Sequence, residues 1–168
     1  MSTRTVSRLI VAAMLGACAP ADRPMEFATL QDLASRYTAA WGSQDAASVA
    51  AFFAKDGTLQ INDGTPAVGR EAITTAAQGF MTALPDMALF MDSVKIVGTG
   101  AEFFWTLTGT NTGPGGTGNA LWVSGYEQWT FTRDGLIAQS VGHFPSAEYE
   151  RQLRGEAPTG GSGASARP

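Results

Sequence analysis

The chain has little of what most catalytic or nucleic-acid-binding proteins rely on. Among 168 residues there is one cysteine, Cys18, and one histidine, His143. That pair cannot supply the His and Cys ligands of a zinc site, and no acidic cluster offers an oxygen-ligand site, so no metal is expected. Lysine occurs only at positions 55 and 95, the arginines are scattered, and the formal net charge is −4. Without a basic stripe, a nucleic-acid partner is excluded. No Gly-x-Ser-x-Gly elbow supports a hydrolase triad. The glycine-rich stretch Gly113 to Gly118 (GPGGTG) lacks the lysine of a phosphate loop and leads into a strand-like segment, so it reads as a hairpin loop. Nothing points to a nucleotide or redox cofactor, and no cofactor is expected. The longest N-terminal apolar run, Leu9 to Leu15, is far short of the roughly 20 residues that span a bilayer.

What is present begins with that run. Arg4 and Arg8 precede it with no acid among them, and Gly16, Ala17 and Cys18 follow. A basic start, a short apolar core and small residues make a secretory signal. Leu15-Gly16-Ala17-Cys18 resembles a bacterial lipobox, which implies cleavage before Cys18 and acylation of its sulfur. The other reading is an ordinary signal cut nearby, for instance after Ala19, with Cys18 discarded. The lipobox reading divides the chain into a signal peptide at 1–17, a tether at 18–26 and a domain at 27–153. It places the protein at the bacterial cell envelope, on the periplasmic side of a membrane if the cell is Gram-negative. Loss of 1–17 removes two arginines and takes the formal charge from −4 to −6. The tail at 154–168 holds Gly, Ser, Ala and Pro with no large apolar group from Gly155 onward, too little to offset its ordering entropy.

Within 27–153 the hydrophobic period changes once. Phe27, Leu30, Leu33, Tyr37 and Trp41 are spaced as one face of a helix that Gly42 ends. Asp45 caps a second helix with Val49, Phe52 and Phe53 on one side. Asp56-Gly57 is a turn signal, 58–62 a short strand and Asn62-Asp63-Gly64 a turn. A third helix runs from about Arg70 to Leu84, with Ile73, Ala77, Phe80 and Leu84 on one stripe, and Pro85 stops it. From residue 87 onward the pattern is strands, at 87–97, 101–112, 120–132 and 136–144, joined by short glycine-bearing connections. The expectation is an α+β fold, with three N-terminal helices packed on a mostly antiparallel sheet. Strands this long must twist and curl strongly, so the sheet is expected to form a cone-shaped, barrel-like wall around a pocket.

Six segments in order resemble the SnoaL-like (polyketide-cyclase-like) family of the nuclear-transport-factor-two-like superfamily. They are Tyr37 to Trp41 with Asp45 and Phe52 to Gly57; Gly69 to Ile73; Leu84 to Met87; Leu107 to Gly118; Asp134 to Ile137; and Glu148 to Leu153, a short closing helix. The resemblance implies the cone fold. It does not imply one activity, because the fold hosts isomerases, cyclases, dehydratases, hydrolases and binding modules. Where the cyclases of this family carry a catalytic aspartate after the last strand, this chain has Pro145, and Gln139 stands where a glutamate is usual. Proline offers no base.

His143 is the one nearby group able to act as general acid or base near neutral pH. It would share a face with Ile137, Gln139 and Val141. The alternative is a histidine that hydrogen-bonds a strand neighbour or a backbone carbonyl, with Asp63, Asp86 or Glu127 as candidate partners. On 120–132, Trp122, Tyr126 and Gln128 share one face, and Val123, Glu127, Trp129 and Phe131 the other. Tyr126, Gln128, Gln139 and Trp122 are the candidate ligand contacts, since a few polar groups in an apolar pocket can orient a carbonyl. Alternatively they pack at a dimer face. A homodimer through the outer face of the sheet is expected from large side chains such as Trp129 and Phe131, which one interior cannot all take. Two functions remain. One is binding of a small apolar or carbonyl-containing ligand without catalysis; the other is a cofactor-free isomerase, cyclase or hydrolase using His143. The proline and the export signal weigh toward binding.

Overall fold

A computed structural model describes residues 26–156. The signal peptide, Cys18, residues 18–25 of the tether and residues 157–168 of the tail lie outside the described residues. Helix α1 (Phe27–Gly42) buries Leu30, Leu33, Ala34, Tyr37, Ala40 and Trp41, the face expected from the spacing. Phe27, at its open end, is 53% exposed. Gln44 turns the chain with a φ of 60°. Asp45 then caps α2 (Ala46–Ala50) by accepting from the Ala47 N–H at 3.1 Å.

Helix α2 is one turn long, so Phe53 opens strand β1 (Phe53–Ile61) instead of extending the helix. The Asp56-Gly57 turn signal is a β-bulge inside that strand, where the register against its neighbour shifts between Phe53 and Thr58. Gly57 is needed there: a Cβ would sit 2.9 Å from the Ile137 carbonyl oxygen. After Asn62, the short β2 (Ala67–Val68), which the residue pattern does not predict, and α3 (Gly69–Ala83) follow. Four longer strands complete the sheet: β3 (Ala88–Val97), β4 (Gly100–Thr110), β5 (Ala120–Phe131) and β6 (Ile137–His143). Helix α4 (Ser146–Leu153) closes the chain, and Pro145 is its N-cap residue.

The sheet order is β2-β1-β6-β5-β4-β3. Strands β1 and β6 run parallel and every other neighbouring pair is antiparallel, giving a curved, mixed sheet that does not close into a barrel. On β4, Ala101, Phe103, Trp105 and Leu107 are buried, and on β5 Leu121, Val123, Glu127 and Trp129. Alternation puts their neighbours outside. Trp129, expected on the outer face, is 1% exposed and stacks on Phe103 at 4.8 Å. The outer face instead carries a ladder in which His143 stacks on Tyr126 and Tyr126 on Phe104, with Lys95 Nζ 4.9 Å from the Phe104 ring.

At the centre of the core is Tyr37, fully buried and edge-on to Trp41, Phe52, Phe103 and Trp129. Aromatic pairs of this kind add about 0.5–1.5 kcal/mol each beyond the area they bury. They bind α1 to the concave side of the sheet.

Two inner-face glycines behave differently. At Gly125 a Cβ would meet the His143 carbonyl oxygen at 2.5 Å and the Trp105 ring at 2.6 Å, whereas at Gly142 the nearest contacts are 3.6 Å away. Gly125→Ala should therefore cost about 1–3 kcal/mol, lowering the melting temperature by several degrees, while Gly142→Ala leaves it nearly unchanged. Equal melts for the two variants would contradict this packing.

Candidate functional site

The concave face, α1, α3 and α4 line a partly open cavity of about 60 Å³, well above the roughly 10–15 Å³ that one water needs. Its wall is almost wholly apolar: Leu59 and Ile61 from β1, Trp105 and Leu107 from β4, Val123 from β5, with Trp41, Phe80 and Met87 around them. Phe144 and Tyr149 form its α4 end. Strand β6 contributes Gly142 to this wall, opposite Glu127, whereas Gly125 of β5 makes room for the Trp105 ring.

Helix α4 is fixed over that end by polar bonds. Strand β6 stops at His143, opposite Tyr126, so residues 120–125 of β5 have an unpaired edge. The Gln152 side chain takes that edge, accepting from Trp122 N–H at 2.7 Å and donating to Trp122 C=O at 2.8 Å. At the helix start, Asn62 accepts from Phe144 N–H at 2.9 Å and donates to Ser146 Oγ at 2.7 Å. Asn62 holds a φ of 49°, which asparagine tolerates better than most residues. Glu148 pairs with Arg151 and Gln152, which hold its carboxyl down at about 2.

Glu127 is the one ionisable acid or base among the cavity residues besides Tyr149, and it is 6% exposed. Its Oε2 accepts from Tyr37 Oη at 3.0 Å, Trp129 Nε1 at 2.9 Å and Ser140 Oγ at 2.5 Å. All three donors converge on Oε2, which leaves Oε1 to the cavity. Burial pushes the Glu127 carboxyl above the usual glutamate range, and the three donors only partly pull it back. Burial, with Glu127 alongside, also drives the Tyr37 phenol well above its ordinary value. The Trp41 indole tempers that rise from beside the hydroxyl but makes no hydrogen bond of good geometry. Burial likewise raises the Tyr149 phenol.

The residues singled out from sequence lie elsewhere. His143 is half-buried on the outer face, its ring against Tyr126. Gln128 and Gln139 are exposed on that face, and Trp122, 68% exposed, lines a separate shallow groove with Asp86 and Gln152. None of His143, Tyr126, Gln128, Gln139 or Trp122 lines the cavity. The reason is period-two alternation: the polar-looking face of β5 is the outer one, and the face with Val123, Glu127 and Trp129 turns inward. Glu127 had been weighed only as a partner for His143. A lone acid between Val123 and Trp129 on an otherwise apolar face was the signal that could have found it.

Among the described residues no group of His, Cys, Asp or Glu could hold a metal ion, and no helix is long and apolar enough to cross a membrane.

Glu127 gives the domain a characteristic pH response. A carboxyl raised on folding contributes stability that is whole below its ordinary value of 4.5 and is lost as pH rises through the raised one. Asp86, Glu102 and Glu148 are lowered, so their contributions disappear only on acidification below the ordinary carboxylate range. Denaturant unfolding between pH 4.5 and 8 should show wild-type stability falling with pH and Glu127→Gln free of that component. Identical slopes for the two proteins would remove Glu127 from this role.

The SnoaL-like domain profile matches residues 34–140. No curated protein matches the chain by sequence. Solved structures share the fold. A hypothetical protein with a ketosteroid isomerase-like fold from Catenulispora acidiphila, in complex with trimethylamine, superposes with a TM-score of 0.66 at 17% identity, covering 75% of this chain and 94% of its own. TsrD from Streptomyces laurentii gives 0.67 at 22%, covering 77% and 97%. A candidate polyketide cyclase from Xanthomonas campestris gives 0.60 at 22%, covering 73% and 95%. With the profile spanning most of the folded unit and the cone in place, the chain belongs to the SnoaL-like domain family.

Proposed function

We propose that this domain binds a small apolar or carbonyl-containing molecule in the cone cavity, at a cell envelope to which a lipid on Cys18 tethers it. The observation that carries the reading is the cavity itself: an apolar wall interrupted by one buried carboxyl whose second oxygen is free to meet a ligand. Apolar contact supplies affinity at such a site, and the lone polar group sets orientation. Binding without turnover is favoured because Pro145 occupies the position where the family's cyclases carry an acid, and His143 points away from the cavity.

A second reading has one observation behind it. The carboxyl of Glu127, raised by burial, is a proton-transfer group inside the cavity, which His143 is not. If the bound molecule is turned over, Glu127→Gln should lose roughly 10²–10⁴-fold in rate while still binding.

Filling the cavity tests the main reading. Valine at position 142, on the cavity wall, has room at its Cβ and adds two methyl groups where the wild type has no side chain. Gly142→Val should melt at or above the wild-type temperature yet lose the small molecule that mass spectrometry detects after gentle purification of the wild type. A variant that retains the same molecule would place the ligand outside this cavity. The tether is tested separately: metabolic labelling with a clickable palmitate should tag the full-length chain and miss Cys18→Ser, and equal labelling would sink the anchor.

A further inference from the structure

Two apolar stripes run past the point where the fold covers them. On α1, Leu30 is fully buried, yet Phe27, one turn earlier on the same face, is 53% exposed. On the inner face of β3, Val94 is 8% exposed and Ile96, two residues on, is 43% exposed. Val97 follows on the outer face, 49% exposed.

The contacts of α1 put these three residues at one end of the domain. The helix packs over β3. Its Tyr37 is edge-on to Phe103 and Trp129, and its Trp41 lines the cavity with Trp105 and Leu107. The helix therefore follows β4, and its N-terminus points to the hairpin at 97–100. Phe27 is ten residues before Tyr37, about 15 Å along a helix. From Phe103 to Gly100 the strand covers only about 10 Å. Phe27 thus reaches past the end of the sheet, beside the hairpin that carries Ile96 and Val97. Helix α4 marks the opposite end, since it clamps Trp122 and starts beside Asn62. Along β5, Trp122 and Phe131 lie nine residues apart, about 30 Å on a strand.

The chain before Glu26 joins the domain at the exposed apolar end. Cys18 is eight residues before Glu26, a reach of at most about 29 Å. A lipid on Cys18 holds this end within that distance of a bilayer. Contact between the two is then an event within one molecule, so a small apolar patch suffices where it would not bind a membrane alone. Charge does not select the partner. Lys95, the cation of β3, is paired with Glu102, and Glu26, Arg133 and Asp134 at this end are of mixed sign.

We propose that Phe27, Ile96 and Val97 dock this end of the domain on the lipid bilayer and hold the α4 end of the cavity away from it. This rests on the anchor at Cys18. A ligand that enters past α4 then comes from the aqueous side, not from the acyl layer.

The acylated full-length chain, reconstituted in phosphatidylcholine vesicles containing a doxyl-labelled lipid, tests this orientation. Cys18 is the only cysteine, and acylation blocks its sulfur. A thiol-reactive fluorophore therefore marks a single introduced site, Thr99→Cys at the hairpin or Arg154→Cys after α4, both exposed. The label at position 99 should be quenched and the label at 154 should not. Phe27→Ser together with Val97→Ser should abolish quenching at 99 while flotation with the vesicles, which reads the anchor, is unchanged. Both positions are exposed, and an unchanged melt confirms that the fold is kept. Equal quenching at the two positions, quenching at 154 alone, or none at either on floating vesicles overturns the proposal and leaves the anchor. A label at 99 that vesicles do not quench, but whose emission changes with protein concentration in detergent, puts a second copy on this end and overturns it as well. If the wild type carries no acyl chain and does not float, the anchor and this proposal fail together.

Discussion

The hydrogen bond from Tyr37 to Glu127 ties the helical layer to the sheet, and most of the interior is arranged around it. Burying a carboxyl group carries a large desolvation cost unless its oxygens are met by donors. Three meet it here from three elements: Tyr37 on α1, Trp129 on β5 and Ser140 on β6. Each donor constrains something else. The Tyr37 ring is the hub of the aromatic core, Trp129 stacks on Phe103, and Ser140 fixes which face of β6 turns inward. A one-residue slip of β6 against β5 would send Ser140 out and bring Gln139 or Val141 to the carboxyl. The network thus specifies register as well as satisfying a buried carboxyl group.

The cavity follows from what stands next to that network. Close packing normally fills a concave sheet with side chains, and protein interiors leave few voids larger than a water. Here the two positions best placed to fill the space beside Glu127 are glycines, for different reasons. Gly125 has no room for a side chain, because the Trp105 ring and the His143 carbonyl already occupy it. Gly142 has room for a Cβ, which would make ordinary contacts at 3.6 Å with the Gln60 carbonyl oxygen and the Glu127 Cγ. At the α4 end the cavity is closed both by polar clamps, Gln152 on the open edge of β5 and Asn62 at the helix start, and by Phe144, Tyr149 and Leu153 packed against the core.

Much of this was legible in the residues. The helical face of α1, the cap at Asp45, the limits of the long strands and the closing helix all follow from period and punctuation, which are local properties. Where the reading departed, a non-local contact decided the outcome. Asp56-Gly57 makes a bulge instead of a turn because β1 must run beside β6, whose partner residues lie just over eighty positions later in the chain. Phe53 leaves its helix for the same reason. Alternation correctly split β5 into two faces but could not tell which faced the helices, and the usual weighting of polar residues as site residues chose the outer one. Chemistry singles out Trp122, Tyr126, Gln128, Gln139 and His143 in the sequence, and Glu127 enters there only as a candidate partner for His143.

The Glu127 carboxyl has two roles that pull in different directions. As a structural element it is locked in, because replacing it with an apolar residue would orphan three buried donors. Removing one partner of a buried network costs more than the network contributes. Yet nothing structural requires a second oxygen there. An asparagine or serine could answer one or two donors with less desolvation, and a wholly apolar core would need none of them. The three donors account for Oε2 alone. What remains is Oε1, at a wall that is otherwise almost wholly apolar. The group that fixes the register of the sheet and the seat of α1 is thus also the one carboxyl among the residues that line the cavity.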